Sequence, residues 1–406
     1  PRSPLAPADF PALPVIGGAR FAIAEAGVRY KGRPDVMLAL LDPGSVVAGV
    51  FTRSATRSAN VLDCQAKIGA DSAEGAAIIV NSGNSNAFTG KAGEGSVAAI
   101  CEAVATGAGL PASRVFTSST GVIGERLPHD RITAKLDELH GALSSNGMAD
   151  AARAIMTTDT FPKAATAEID VDGKPVRIAG IAKGSGMIAP DMATMLGYVF
   201  TDAAVEPTFL QTLLSDINTR TFSCITVDGD TSTSDTVLVC ATGKAGHALI
   251  ASFDDPGADA FAAALEDVCR TLAQLVVRDG EGATKPRMIG VLITMLIMDW
   301  KLTLVLLLVY PIAFAPVIGL GNRVRKRSKA AQKQIGEVTS LLSESFQSAR
   351  VVKAYGLEEY QKGRAKRGFV ERSRLFLKVL TDKAAVDPIL EITGGLALVG
   401  ILALTA

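Results

Sequence analysis

Up to about residue 285 the hydrophobic positions fall in short β-branched runs, as at 35–51 and 76–80, which alternate with alanine-rich helical stretches such as 95–109. Runs of that length with that residue choice predict strands, and the longer alanine-rich stretches predict helices, so this part is expected to be a soluble α/β or α+β domain. Segments rich in Gly, Ser, Thr and Asn interrupt it at 81–90 (NSGNSNAFTG), 118–124 (SSTGVIG) and 227–235 (VDGDTSTSD). Such loops suit close approach of backbone to a ligand, and each is equally compatible with an ordinary turn.

The pattern changes after Pro286. Residues 288–321 are nearly all apolar except at Asp299 and Lys301. The part from Leu302 to Leu320 has about 19 residues, close to the roughly 20 that cross a bilayer as a helix. The DWK at 299–301 then reads as the tight turn of a hairpin. A basic run at 323–329, a long polar helical pattern to about Lys383 and a second apolar run from Pro388 follow. Basic residues directly after an apolar span favour the cytoplasmic side. A buried helical hairpin is the alternative, because Pro311, Pro316 and Glu391 interrupt the spans. The expected organisation is an α+β domain at 1–286 and an all-α, membrane-type helical segment at 287–406.

Composition sharpens the division. The 406 residues are 48% hydrophobic and 20% charged with a formal net charge of zero, which excludes global disorder. The neutral total conceals an asymmetry: residues 1–286 carry 23 basic and 32 acidic side chains, and the remainder 18 and 9. Five cysteines, none in CxxC spacing, suggest neither a zinc site nor a disulfide framework and fit a reducing compartment. The proline-rich N-terminus lacks the apolar stretch of a secretory signal, so the α+β part is expected in the cytoplasm. Nothing points to nucleic acid.

The most chemically suggestive stretch is KGSGMIAPDMATML, residues 183–196. Cleavage between Ala193 and Thr194 would give Thr194 a free α-amine with a pKa of about 7.7 to 8.0, a base for its own hydroxyl. Attack on an acyl carbonyl creates an oxyanion, and backbone N–H groups in the turn at Thr120 and Gly121 are suited to stabilise it. Lys183 offers a positive charge for a substrate carboxylate or for developing charge. The bland alternatives are a solvated surface lysine and a helix start whose Met192, Met195 and Leu196 face a core.

Seven segments in order, VAGVFT (47–52), VNSGNSNAFTG (80–90), SSTGVIGERLP (118–128), AIMTTDTFPK (154–163), GIAKGSGMIAPDMATML (180–196), ITVDGDTSTSDT (225–236) and VRDGEGATK (277–285), resemble the ornithine acetyltransferase family of arginine biosynthesis. The resemblance covers roughly 14–285. It implies a stacked-sheet sandwich flanked by helices, self-cleavage at Ala193/Thr194 into an α chain (1–193) and a β chain (from 194) that stay associated, and ping-pong transfer of acetyl from N-acetylornithine to glutamate. Acetyl-coenzyme A serves some members as donor, and no metal or prosthetic group is implied. Carried over by position, Thr194 is the acetylated nucleophile, Thr120 and Gly121 the oxyanion pair, and Thr157, Lys183, Thr194 and Glu281 the substrate contacts.

The chain then departs from that family. Members continue beyond the GEGATK motif with more α+β sequence, and their C-terminus supplies an asparagine and a threonine or serine to the pocket; this chain has neither. From about Arg287 it resembles the transmembrane domain of ATP-binding-cassette exporters, through DWKLTLVLLLVYP, GEVTSLLSESFQSARVVKAYGLEEYQ and DPILEITGGLALVGILALTA. No GxxxxGK[ST] loop is present to bind ATP. Three readings follow: an acetyltransferase of arginine biosynthesis, a membrane-transport fragment carrying a passenger, or a fusion with neither activity.

Overall fold

The computed structural model describes residues 2–69, 73–186, 195–227 and 232–280, together with nine separate positions between 359 and 381. The chain divides into two compact units, Pro1–Pro286 and Arg287–Ala406. Within the second, the nine described positions are helical. They fall in the stretch read as a long polar helix. The apolar runs read as membrane spans lie outside the described residues, and no helix among the described residues is long and apolar enough to cross a membrane.

The first unit runs β1 (Ala19–Ala24), β2 (Val36–Leu41), β3 (Val46–Phe51), α1 (Ala59–Lys67), β4 (Ala76–Asn84), α2 (Gly90–Ala108) and β5 (Val115–Val122). Next come α3 (His129–Thr133), α4 (Leu136–Gly141), α5 (Met148–Ala154), β6 (Lys163–Val171), β7 (Lys174–Lys183), β8 (Leu196–Thr201), α6 (Pro207–Arg220), β9 (Thr236–Ala241) and α7 (Ala258–Arg278). They build two sheets, one ordered β1-β2-β4-β5 and the other β3-β9-β8-β7-β6. Strand pairs β4·β5 and β8·β9 are parallel and the rest antiparallel.

The side-chain alternation of the strands explains how the layers stack. On β2, Met37, Ala39 and Leu41 enter the core between the sheets, whereas Val36 and Leu38 enter the core beneath α2, α3 and α4. On β8, Leu196, Tyr198 and Phe200 face the first sheet, and Val199 faces the core of α6 and α7. Phe21 meets Phe200 across the gap edge-to-face, with ring centroids 4.9 Å apart. The central strands are therefore covered on both faces, which is why they read as continuous apolar runs, whereas edge strand β6 alternates, with Thr166, Glu168 and Asp170 exposed. Helix α7 supplies the matching stripe, Phe261, Leu265, Val268, Leu272 and Val276, at helical spacing.

Three expectations shift. Helix α2 begins at Gly90, five residues before the stretch read from its alanines, and ends at Gly109 in the left-handed conformation. The segments at 81–90 and 118–124 are not simple loops, because residues 81–84 and 118–122 extend the paired ends of β4 and β5. Gly83 and Gly121 oppose each other there, and a Cβ on Gly121 (φ 134°) would lie 2.3 Å from the Gly83 carbonyl carbon. Only glycine lets the two backbones pass so closely. Finally, Met195 and Leu196 pack into cores on opposite sides of the second sheet, as strand alternation demands and a helix start would not.

Candidate active site

Strands β4, β5 and β7 end in polar residues that remain buried: Asn81, Ser82 and Asn84, then Ser118, Ser119 and Thr120, then Lys183. Lys183 is 2% exposed and its Nζ donates to Thr120 Oγ1 at 2.8 Å. β5 and β7 belong to different sheets, so this bond joins the two layers at their polar ends. The surface-lysine alternative is thereby corrected. Since Lys183 has only hydrogens to give, the Thr120 oxygen is the acceptor, which leaves the Thr120 hydroxyl proton free to be donated onward. Gly121 follows at once, exposed and in a conformation that favours glycine.

A second buried group stands behind Lys183. The Asp159 side chain is fully buried, and its Oδ1 accepts from Lys163 Nζ and from the Gly184 N–H, both at 2.6 Å. Its Oδ2 accepts the Thr157 N–H at 3.0 Å. Lys163, also fully buried, reaches Asp279 Oδ2 at 2.6 Å just beyond the end of α7. The Thr158 and Ser185 hydroxyls, 2.7 Å apart, tie the same two stretches together again. Burial alone would raise the Asp159 carboxyl, but Lys163, Lys183 and the Gly184 N–H hold it below the ordinary carboxylate range. Burial lowers the Lys183 ammonium, Asp159 and Asp235 partly offset that, and Lys163 adds to it.

Asp235, at the head of β9, is the third buried acid. Its Oδ1 accepts the Met195 N–H at 2.9 Å, while Oδ2 has no hydrogen-bond partner among the described residues. Desolvation pushes its carboxyl up to about 7, against the opposing pull of the Met195 N–H, Ser232, Lys183 and Thr52. A carboxyl in that range exchanges protons near neutrality. Among the described residues no group of His, Cys, Asp or Glu is arranged to hold a metal ion.

Of the residues singled out in the sequence, the structure thus brings Thr120 and Lys183 into contact and joins Thr157 to them through Asp159. Ala193, Thr194 and Glu281 lie outside the described residues. Sequence reasoning missed Asp159, Lys163, Asp235 and Asp279. The first two lie inside the quoted AIMTTDTFPK segment and Asp235 inside ITVDGDTSTSDT, but nothing in those strings announces burial.

Two family models match the chain, one on each side of residue 287 or close to it. Residues 287–405 match the ABC transporter transmembrane region. Residues 20–294 match the ArgJ family. The arginine biosynthesis bifunctional protein ArgJ of Ruegeria pomeroyi is 67% identical over 283 residues, covering 70% of this chain and 68% of the relative. The protein of that name from Gluconobacter oxydans is 51% identical over 285 residues, covering 70% and 66%. The chain therefore spans about two thirds of the length of these relatives. A chain of the crystal structure of ornithine acetyltransferase complexed with ornithine from Mycobacterium tuberculosis matches at 34% identity over 45% of this chain and 96% of that one, with a TM-score of 0.39. With a family match across most of its length and relatives at this identity, the chain belongs to the ArgJ family.

Proposed function

We propose that residues 1–286 form an acyltransferase of arginine biosynthesis that moves acetyl from N-acetylornithine to glutamate through an acetyl-Thr194 intermediate. The observation that carries this reading is the buried Lys183–Thr120 hydrogen bond, which unites two residues the family resemblance assigns to one site although they stand 63 positions apart in the sequence. Cleavage at Ala193/Thr194 comes first and frees the Thr194 α-amine. The amine then takes the hydroxyl proton as Thr194 Oγ bonds to the acetyl carbon. Charge that develops on the carbonyl oxygen is met by Thr120, whose proton Lys183 leaves free, and by Gly121. Collapse breaks the carbon–nitrogen bond, the ornithine amine departs with that proton, and the acetyl ester remains. The glutamate amine attacks the ester, the Thr194 α-amine takes the proton which that amine loses, and Thr194 Oγ leaves with it as the carbon–oxygen bond breaks.

Thr157, Lys183 and Glu281 hold the substrate, the lysine suited to a carboxylate and the glutamate to an ammonium. The chemistry asks for no metal or prosthetic group, and acetyl-coenzyme A is a further donor. The α and β chains remain together after the cut, and the enzyme works in the cytoplasm on small-molecule substrates. The test is the intact mass of the expressed chain beside Thr194→Ala, followed by an assay of acetyl transfer. Two fragments parting at Ala193/Thr194 in the unsubstituted chain alone, with transfer at an enzymatic rate, are the expected result; a single uncut chain in both overturns it.

The match of residues 287–405 supports a second reading, a fusion whose tail carries the chain to a membrane. Sedimentation with lipid and recovery only in detergent distinguish that behaviour.

A further inference from the structure

We infer that Asp159 is a positioning residue for the proposed transfer: its one buried carboxylate fastens the substrate-contact stretches at Thr157 and Lys183 to each other and, through Lys163 and Asp279, to the end of α7. The inference rests on the reading above for the roles of Thr157 and Lys183. Its geometry rests on described residues alone.

Three features set Asp159 apart from an ordinary ion pair. Each of its oxygens is used: Oδ2 takes the Thr157 N–H, and Oδ1 takes both the Gly184 N–H and the Lys163 ammonium. Gly184 follows Lys183 directly, at a φ of 149° that favours glycine, so the carboxylate pins the backbone where the lysine leaves its strand. On the far side Lys163 bonds Asp279, whose carboxylate also accepts the Thr160 N–H and the Thr160 hydroxyl. Asp279 directly follows the last residue of α7, so the relay ends at that helix. Two carboxylates around one ammonium leave this cluster a net negative charge, which suits a second buried ammonium beside it.

That ammonium is Lys183. The charged groups acting on it are Asp159, Lys163 and Asp235, and Thr120 accepts its hydrogen bond. Asp159 is the strongest of the influences that favour its charged form. Without Asp159 the lysine loses its proton at lower pH, and with it the hold on a substrate carboxylate.

The experiment compares the full chain with Asp159→Asn, a near-isosteric change that leaves Lys163 paired with Asp279. The primary readout is the titration of Lys183 followed by carbon NMR at its Cε, identified through Lys183→Arg. We expect its midpoint to fall by about one pH unit, the usual effect of one nearby opposite charge. In acetyl transfer we expect the alkaline limb to move down by the same interval, with KM for the substrate rising about tenfold at its upper end and kcat changing less. An unchanged Lys183 midpoint in folded Asp159→Asn overturns the inference, as does a variant that lowers Tm and leaves the pH limb in place. If Asp159→Asn does not fold, the triple variant Asp159→Asn/Lys163→Gln/Asp279→Asn, which leaves no charge of the cluster buried without its counter-charge, replaces it. The same shift is then expected at smaller size, because the effect of Asp159 on Lys183 outweighs that of Lys163. Absence of transfer in the unsubstituted chain would refute the proposed function, while the NMR titration still decides the place of Asp159.

Discussion

The middle of the sandwich and the polar ends of its strands are equally buried and chemically opposite. Strand β4 is buried from Ala76 to Asn84, yet it changes from AAIIV to NSGN in one step; β5 changes from Val115 and Phe116 to Thr117, Ser118, Ser119 and Thr120. In the middle, Phe21, Phe116, Tyr198 and Phe200 fill the gap between the sheets by contact alone. At the ends the same gap holds hydroxyls, amides, an ammonium and carboxylates; a neutral one costs about 1–3 kcal/mol if left without a partner, and a charged one more. A purely structural interior would not be built that way. The middle supplies cohesion, and it is the ends that can recognise and move charge.

The comparison can be broken most severely at Thr120. Thr120→Ala removes the proposed oxyanion donor and is expected to lower kcat for acetyl transfer by about 10² to 10³-fold. The fold should stay intact by circular dichroism. Phe200→Ala should do the reverse, lowering unfolding free energy by about 3–5 kcal/mol in denaturant titration while the rate per folded molecule holds. A rate loss in Phe200→Ala matching that of Thr120→Ala would erase the distinction between the regions.

Lys163→Met tests whether the ends also contribute cohesion. It leaves Asp159 and Asp279 buried without their shared ammonium, and should cost about 3–5 kcal/mol, again read by denaturant titration. Gly121→Ala is smaller: placing a Cβ against the Gly83 backbone at a positive φ should cost about 1–3 kcal/mol and displace Thr120, so melting temperature and transfer rate fall together.

The gentlest probe is pH. Asp235 is raised in the folded state from 3.8 to about 7, so between those values the folded chain binds more protons than the unfolded one. Its contribution to stability is fully present below about pH 4 and is lost as pH rises toward 7. Asp235→Asn should flatten that part of the stability–pH curve, measured by denaturant titration at a series of pH values.

How much of this was legible differs by region. The middle could be read because its signal is local: β-branched runs mark β2, β3 and β4, and alanine-rich periodicity marks α2. The seven family segments likewise point to Thr120, Gly121, Thr157 and Lys183, because each segment is a string that can be recognised on its own. The Asp159–Lys163–Asp279 relay could not be read. Lys163 and Asp279 lie 116 positions apart, and a lysine in a string looks the same whether solvated or buried between two carboxylates. The glycine-rich strings misled for a related reason: they read as loops where backbone could approach a ligand, whereas the close approach at Gly83 and Gly121 is between two paired strands.

The sequence by itself determined the alternation of strands and helices, the break in composition at Pro286 and membership of a family, because these follow from short-range periodicity and from segments that carry their signal singly. Tertiary structure alone decided that Lys183 is buried against Thr120, that one carboxylate gathers Thr157 and Gly184, and that Asp235 meets the Met195 amide. Those contacts depend on which strand ends the two sheets bring together, and the energy of a charge depends on the water that this stacking removes.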